Sequence, residues 1–140
     1  WPNFICNLLL VKNRLIQTKP SAIRRLVQGA VRSGIWAEHN IEHASEIASK
    51  YWGQPQELVE YALNTPQRRI VFHRYVPVAE EMQDLARLMV RFGLLEDPSI
   101  AGLVNDRFAK EADITGIAGA ESILLINFHN VNTLPVCLFI

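Results

Sequence analysis

The hydrophobic pattern at the start of the chain predicts a buried β-strand. Residues 5–11 place apolar side chains on both faces of an extended segment, and only Asn7 interrupts the run. A strand that is apolar on both faces is typical of a mainly parallel sheet with layers on either side. No second run of comparable quality follows before the C-terminal tail. We therefore expect the chain to be part of a larger α/β protein that supplies the neighbouring strands.

Helical spacing predicts five amphipathic helices after the strand, preceded by a short helical turn around residues 14–17. The first helix begins at Pro20, because proline suits the first position of a helix. Its apolar stripe consists of Ile23, Leu26, Val27, Ala30, Val31, Gly34 and Ile35. Its opposite face is expected to be solvated and carries Arg24, Arg25, Gln28 and Arg32.

The second and third helices are predicted between Asn40 and Pro66. Asn40 is a suitable N-cap and Gly53 a suitable end for the second helix. The inner face of the second helix is Ile41, Ala44, Ala48, Tyr51 and Trp52, and that of the third is Leu58, Val59 and Ala62. The sequence Asn64-Thr65-Pro66 ends the third helix.

The C-terminal half of the pattern predicts two more helices and an apolar tail. Residues 69–75 alternate and are predicted to form a brief extended segment or edge strand. The fourth helix runs from Pro77 to Gly93, with Met82, Leu85, Ala86, Met89 and Val90 inward. The fifth follows Asp97 and has Ile100, Leu103, Val104 and Phe108 on one side. The tail from Thr115 contains uncharged β-prone runs, which either pair with another part of the larger protein or are not its natural ending.

Composition narrows the class of protein. The 140 residues include 14 basic and 14 acidic ones, so no overall field draws the chain to nucleic acid or to an anionic membrane. The paired arginines at Arg24-Arg25 and at residues 68–69 have no interleaved aromatic residues, and we expect no nucleic-acid partner. Cys6 and Cys137 do not indicate a redox compartment. No apolar stretch of about 18 residues is present that could span a bilayer.

Two histidine-containing segments could suggest an enzyme. His39-Asn40-Ile41-Glu42-His43 matches the H-x-x-E-H pattern of one class of zinc peptidase, which needs both imidazoles on one helix face. With Asn40 as N-cap, His39 lies outside the helix and that geometry is lost. His73 has no Ser or Cys nucleophile beside it, which favours a partly buried structural role. We expect no catalytic residue, no metal site and no cofactor.

The predicted elements, in order, resemble the C-terminal part of a substrate-binding protein of the nitrate/sulfonate/taurine type of ABC importer. Trp1-Pro2-Asn3 resembles the segment where the chain crosses from the second lobe back into the first. Residues 14–20 resemble the polar turn before a proline-started helix. Later segments resemble the helices that follow in this family: 43–53, 57–63, 82–95 and 104–109. The similarity covers residues 1–113, and the chain departs from the family from Thr115 onward.

The resemblance implies a type II periplasmic-binding-protein-like fold, of which this chain would be a mostly helical C-terminal fragment. Residues 1–114 would be the crossover strand and helices of the first lobe, and residues 115–140 a divergent apolar tail. Such proteins close by a hinge motion around a small anionic solute and deliver it to a membrane permease. They lie in the periplasm or are anchored on the outer side of the inner membrane.

The resemblance also implies that most ligand contacts come from residues that precede Trp1 in such proteins. Within this chain, Asn3 could donate a hydrogen bond to a bound oxyanion, and Trp1 could form a wall of the pocket. Alternatively, Asn3 is a turn residue and Trp1 packs between the lobes.

Two other functions remain open at this stage. Relatives of this fold take part in thiamine-pyrimidine synthesis, so the protein could bind or make a pyrimidine precursor. The chain could also be a self-standing helical interaction domain, in which case the 140 residues should fold cooperatively by themselves.

Overall fold

The computed structural model describes residues 7–66 and 71–123, and its architecture is helical. Helix makes up 59% of these residues, and no strand occurs among them. The elements in order are α1 (Asn13–Thr18), α2 (Pro20–His39), α3 (Ile41–Trp52), α4 (Gln56–Asn64), α5 (Ala79–Arg91), α6 (Arg107–Lys110) and a 3-10 turn at Ala120–Ser122. None of the described helices combines the length and apolar character needed to cross a bilayer.

The predicted α/β fold with a buried N-terminal strand is therefore wrong. Residues 7–11 are irregular, and Leu8, Leu9 and Leu10 are exposed, Leu10 to 82%. An extended apolar segment becomes a strand only when a neighbour accepts and donates its backbone hydrogen bonds, and within residues 7–66 and 71–123 no segment does so. The segment 71–75 is likewise not a strand. Ile5 and Cys6 lie outside the described residues.

The chain divides into two compact units, and α2 contributes to both. The described residues of the first unit are 7–27 and 76–112. Those of the second unit are 28–66, 71–75 and 113–123.

Helix α2 begins at Pro20 as predicted, but one of its faces differs from the prediction. Ile23 and Val31 are buried as the apolar stripe predicts, whereas Leu26 lies on an exposed surface. Arg32, placed by the pattern on the solvated face, is fully buried, and Trp36 one turn later is buried as well. Thus α2 buries a charged residue that its own periodicity assigns to solvent.

Helices α3 and α4 pack as a pair around a small apolar core in the second unit. Ala48, Val59 and Leu63 are buried there, and Ile41 packs against them. Gly53 ends α3 in the left-handed region, at φ +61°, as the sequence predicts.

The outer ends of this helix pair are more exposed than predicted. Tyr51 and Trp52 were expected on the inner face of α3, but they are 66% and 47% exposed. Leu58 and Ala62 of α4 are exposed too. The buried residues of the pair are Ser45 and Ala48 of α3 and Val59 and Leu63 of α4.

Asn40 separates α2 from α3, but not by capping α3 with its side chain. No hydrogen bond joins the Asn40 side chain to the first turn of α3. Its amide instead donates to the Trp36 carbonyl oxygen at 2.8 Å, so it satisfies an acceptor at the end of α2. The predicted helix boundary is confirmed, and the predicted capping role is wrong.

In the first unit, the predicted fourth helix is present as α5 but begins at Ala79 and not at Pro77, and the predicted fifth helix is much shorter than expected. Ala86 is the buried residue of α5, and Gly93 follows the helix at φ +71°. The chain around residue 102 turns instead of forming a helix, since Gly102 adopts φ +73°. Only Arg107–Lys110 is helical, and it buries Phe108 and Ala109.

Candidate functional site

The most unusual feature of the second unit is the buried guanidinium of Arg32. Its four hydrogen bonds all go to main-chain carbonyl oxygens. Nη1 donates to Asp113 and Thr115, both at 2.8 Å. Nε and Nη2 donate to Ser122 at 3.1 and 2.7 Å. A planar, permanently charged fork is suited to this arrangement, because its donors reach several acceptors at once.

Gln28, one helical turn before Arg32, attaches the same segment to α2. Its side-chain amide pairs with the backbone of Asp113 in both directions. Oε1 accepts from the Asp113 N–H at 2.8 Å, and Nε2 donates to the Asp113 carbonyl oxygen. Together Gln28 and Arg32 fix residues 113–122, which we call the strap, against α2.

The strap is also ordered by its own first residue. The carboxylate of Asp113 accepts hydrogen bonds from the Thr115 hydroxyl at 2.7 Å and from the Thr115 N–H at 2.9 Å. These two bonds hold the pKa of Asp113 below its usual value, and the charge of Arg32 acts in the same direction. Asp113 therefore stays ionised and keeps the turn closed at neutral pH.

A second attachment lies further along α2, at Glu38. Its Oε2 accepts from the backbone N–H groups of Phe72 and His73 at 3.1 and 3.0 Å, and its Oε1 pairs with His73 Nδ1 at 2.8 Å. Partial burial acts to raise the pKa of Glu38, but the hydrogen bonds and charge of His73 outweigh it, and the pKa is lowered. The His73 ring is 64% exposed, so the partly buried position expected for it is wrong.

This Glu38–His73 pair orients an imidazole, as a carboxylate does in many acid–base sites. No group of three or more Cys, His, Asp or Glu residues that could hold a metal ion occurs among the described residues. The pair by itself is a structural tie between α2 and residues 72–73.

The H-x-x-E-H segment is divided between two helices. His39 is the last residue of α2, and α3 begins at Ile41, so the predicted break is confirmed. His39 Nδ1 bonds to the Ile35 carbonyl oxygen at 2.8 Å. The His43 ring meets Trp36 edge to face, with centroids 5.3 Å apart. The two imidazoles have different local partners, unlike the metal-ligating pair of a zinc peptidase.

One shallow concavity of about 350 Å³ lies along α4 in the second unit. It is lined by Glu57, Glu60, Tyr61, Asn64 and Thr65. Two carboxylates in the lining make this concavity unfavourable for an anion.

The sequence-based candidates for ligand binding, Trp1 and Asn3, lie outside the described residues. Three residues that organise the second unit were not predicted from the sequence, namely Gln28, Arg32 and Glu38. One signal was present for Arg32: it lies four residues before Trp36, so a helix that buries Trp36 brings Arg32 toward the same side.

Comparison of the chain with protein-family models, with curated proteins and with solved structures finds no match.

Proposed function

We propose that this chain belongs to a solute-binding component of an ABC importer. Its solute is a small anion of the nitrate, sulfonate, taurine or bicarbonate class. The protein catalyses no reaction. It closes around the solute by a hinge motion and delivers it to a membrane permease, from the periplasm or from an anchor on the outer side of the inner membrane.

One observation carries the proposal: the helices coincide with the segments that resemble this family. Helix α2 begins at Pro20, after the polar turn. The later family-like segments, 43–53, 57–63, 82–95 and 104–109, contain most of α3, most of α4, most of α5 and the first part of α6. This ordered agreement supports the proposal because it involves the spacing between helices as well as their number.

The proposal rests on the helices and not on a strand at residues 5–11. Within this chain it assigns solute contact to Asn3, as an oxyanion donor, and to Trp1, as a wall of the pocket. The acidic concavity along α4 is a poor alternative, because Glu57 and Glu60 would repel an anion.

The experiment is a thermal-shift measurement on the natural protein that contains this sequence, with nitrate, taurine, an alkanesulfonate and bicarbonate added separately. A ligand at about 100 times its Kd stabilises the folded state by about 2.7 kcal/mol, which raises Tm by several degrees. Asn3→Ala should reduce the shift, whereas the matched control Asn7→Ala should leave it unchanged.

Stabilisation by one of these anions supports the proposal. A shift of Tm with a pyrimidine precursor and none of the anions would replace it with the thiamine-pyrimidine alternative. No shift with any of them would contradict it.

A further inference from the structure

The basic residues of this chain are distributed very unevenly. Residues 7–27 contain five Lys and Arg residues and no Asp or Glu, and the first acidic residue of the chain is Glu38. Residues 38–140 contain eight basic and fourteen acidic residues. The zero net charge therefore hides a basic N-terminal segment and an acidic remainder. Such an asymmetry is a feature of proteins that bind anionic surfaces.

Four of the five cations in residues 7–27 have exposed side chains and form no ion pair among the described residues: Lys12, Arg14, Lys19 and Arg25. Arg24 is different. It pairs with Glu111 at 2.8 Å, and its guanidinium lies 5.9 Å from the centroid of the Phe108 ring. The four other cations are free to meet an external anionic partner.

The same segment exposes large apolar side chains. Its leucines are each more than two-fifths exposed: Leu8, Leu9, Leu10, Leu15 and Leu26. Scattered exposed leucines are ordinary on a protein surface, but this segment has five within twenty-one residues, interleaved in sequence with four cations that form no ion pair in the described part of the chain, so it is both basic and apolar.

The beginning of α2 shows how the two kinds of residue share one face. Ala22, Arg25 and Leu26 are spaced three and four residues apart on α2 and are all exposed. Ile23, on a different side, is buried. The exposed side of this part of α2 therefore presents a cation beside a leucine.

We infer that residues 7–27 form a surface that adsorbs to an anionic lipid membrane. The cations would meet the lipid phosphates, and the leucines would enter the boundary between head groups and acyl chains. Leu8, Leu9 and Leu10 are consecutive and so point in different directions, which a fluid interface accommodates better than a fixed protein groove does.

Other anionic partners fit less well. A nucleic acid offers no partner for the leucines, and no aromatic side chain for stacking on bases occurs in residues 7–27. An acidic peptide could pair with the cations, but it would also need a groove whose shape accepts three consecutive leucines that point in different directions. The inference is independent of the proposed solute-binding function, because it involves neither Trp1 nor Asn3.

The test is flotation of the full 140-residue chain with vesicles of phosphatidylcholine, with and without phosphatidylglycerol. Aggregated protein sediments in this assay, so aggregation through the exposed leucines is not counted as binding. Each cation near an anionic surface strengthens binding about fivefold, so Lys12→Gln/Arg14→Gln should weaken it by roughly 25-fold. Leu10→Ser should weaken it on the order of tenfold.

Matched controls remove the same groups elsewhere. Lys50→Gln/Arg87→Gln deletes two cations that are ion-paired with Glu46 and Asp84. Leu94→Ser alters a leucine of residues 76–112 that is 68% exposed, against 82% for Leu10. Circular dichroism shows whether each variant keeps its helices.

The inference requires binding to the phosphatidylglycerol vesicles only, loss of binding at high salt, and weaker binding in the segment variants than in the controls. Three results would overturn it: no flotation, equal flotation with both kinds of vesicle, or equal losses in the control variants. Retention on a heparin column without flotation would also overturn it, in favour of a polyanion.

Discussion

Replacing Arg32 with methionine should destabilise the second unit, although it removes a buried charge. Methionine has a similar length and no polar group, so the carbonyl oxygens of Thr115 and Ser122 lose the donors that Arg32 supplies. The Asp113 carbonyl oxygen keeps the Gln28 amide as its donor. An unsatisfied buried carbonyl costs ~1–3 kcal/mol, so two of them predict a loss of ~2–6 kcal/mol.

Two effects place the expected value near the lower end of that range. Several strap residues are exposed, so water can reach a displaced carbonyl oxygen. Burying a guanidinium with no carboxylate bonded to it also costs free energy, which the methionine variant recovers in part. We therefore expect a decrease of about 2–3 kcal/mol in the free energy of unfolding.

The assay is urea unfolding followed by circular dichroism, with hydrogen exchange of the amides in residues 113–122 as a local measure. Arg25→Met is the matched control, because Arg25 lies on the same helix, is exposed, and should change stability by less than about 0.5 kcal/mol. Faster exchange in the strap with little change in α4 would identify the loss as local. If Arg32→Met is as stable as Arg25→Met or more so, the carbonyl ligands of Arg32 do not stabilise this unit, and the reasoning is refuted.

Three further predictions test other parts of the structure. Because the pKa of Glu38 is lowered in the folded state, the stability that Glu38 contributes is present above the ordinary carboxyl pKa of about 4.3 and is lost as the pH falls through the lowered value. Glu38→Gln should remove this part of the acid dependence in unfolding curves measured between about pH 3 and pH 6. An unchanged pH profile would contradict the prediction. Gly34→Ala should not give the usual helix stabilisation of about 1 kcal/mol, since a Cβ there would lie 3.0 Å from Phe72 Cδ1 and 3.1 Å from Phe72 Cβ. In a Phe72→Gly background, which lacks both atoms, the same change should stabilise, and urea midpoints that show equal gains in both backgrounds would refute the contact. Gly102→Ala should lower Tm by the equivalent of about 1 kcal/mol, and Gly102→Asn by less, because Gly102 adopts φ +73°; equal effects would argue against a left-handed backbone at this position.

The helices were predictable because their start and stop signals are local. Pro20 at the beginning of α2, Gly53 after α3 and Gly93 after α5 all act where the sequence places them. The prediction of the fifth helix was wrong for a local reason too. Gly102 interrupts an otherwise periodic pattern, and only Arg107–Lys110 is helical.

The strand and the buried arginine were predicted wrongly because both depend on distant parts of the chain. An apolar run such as residues 7–11 has no fixed conformation until a partner supplies hydrogen bonds, and the pattern alone cannot show whether one exists. Arg32 was assigned to solvent by its neighbours on α2, but its partners are more than 80 residues later in the sequence. The three main-chain carbonyl oxygens that bind Arg32 could not be predicted from the sequence, since every residue has a main-chain carbonyl group.

The candidate ligand residues rest on the resemblance alone, because Trp1 and Asn3 lie outside the described residues. Solute binding is therefore the property to measure.

Calorimetric titration of the natural protein with the anion that raises its Tm most is the most direct test of the proposed function. We expect a saturable heat of binding with a stoichiometry of one, a weaker affinity in Asn3→Ala, and no binding of an uncharged molecule of similar size. A flat titration, or equal heats for the anion and the uncharged molecule, would contradict a solute-binding component for small anions.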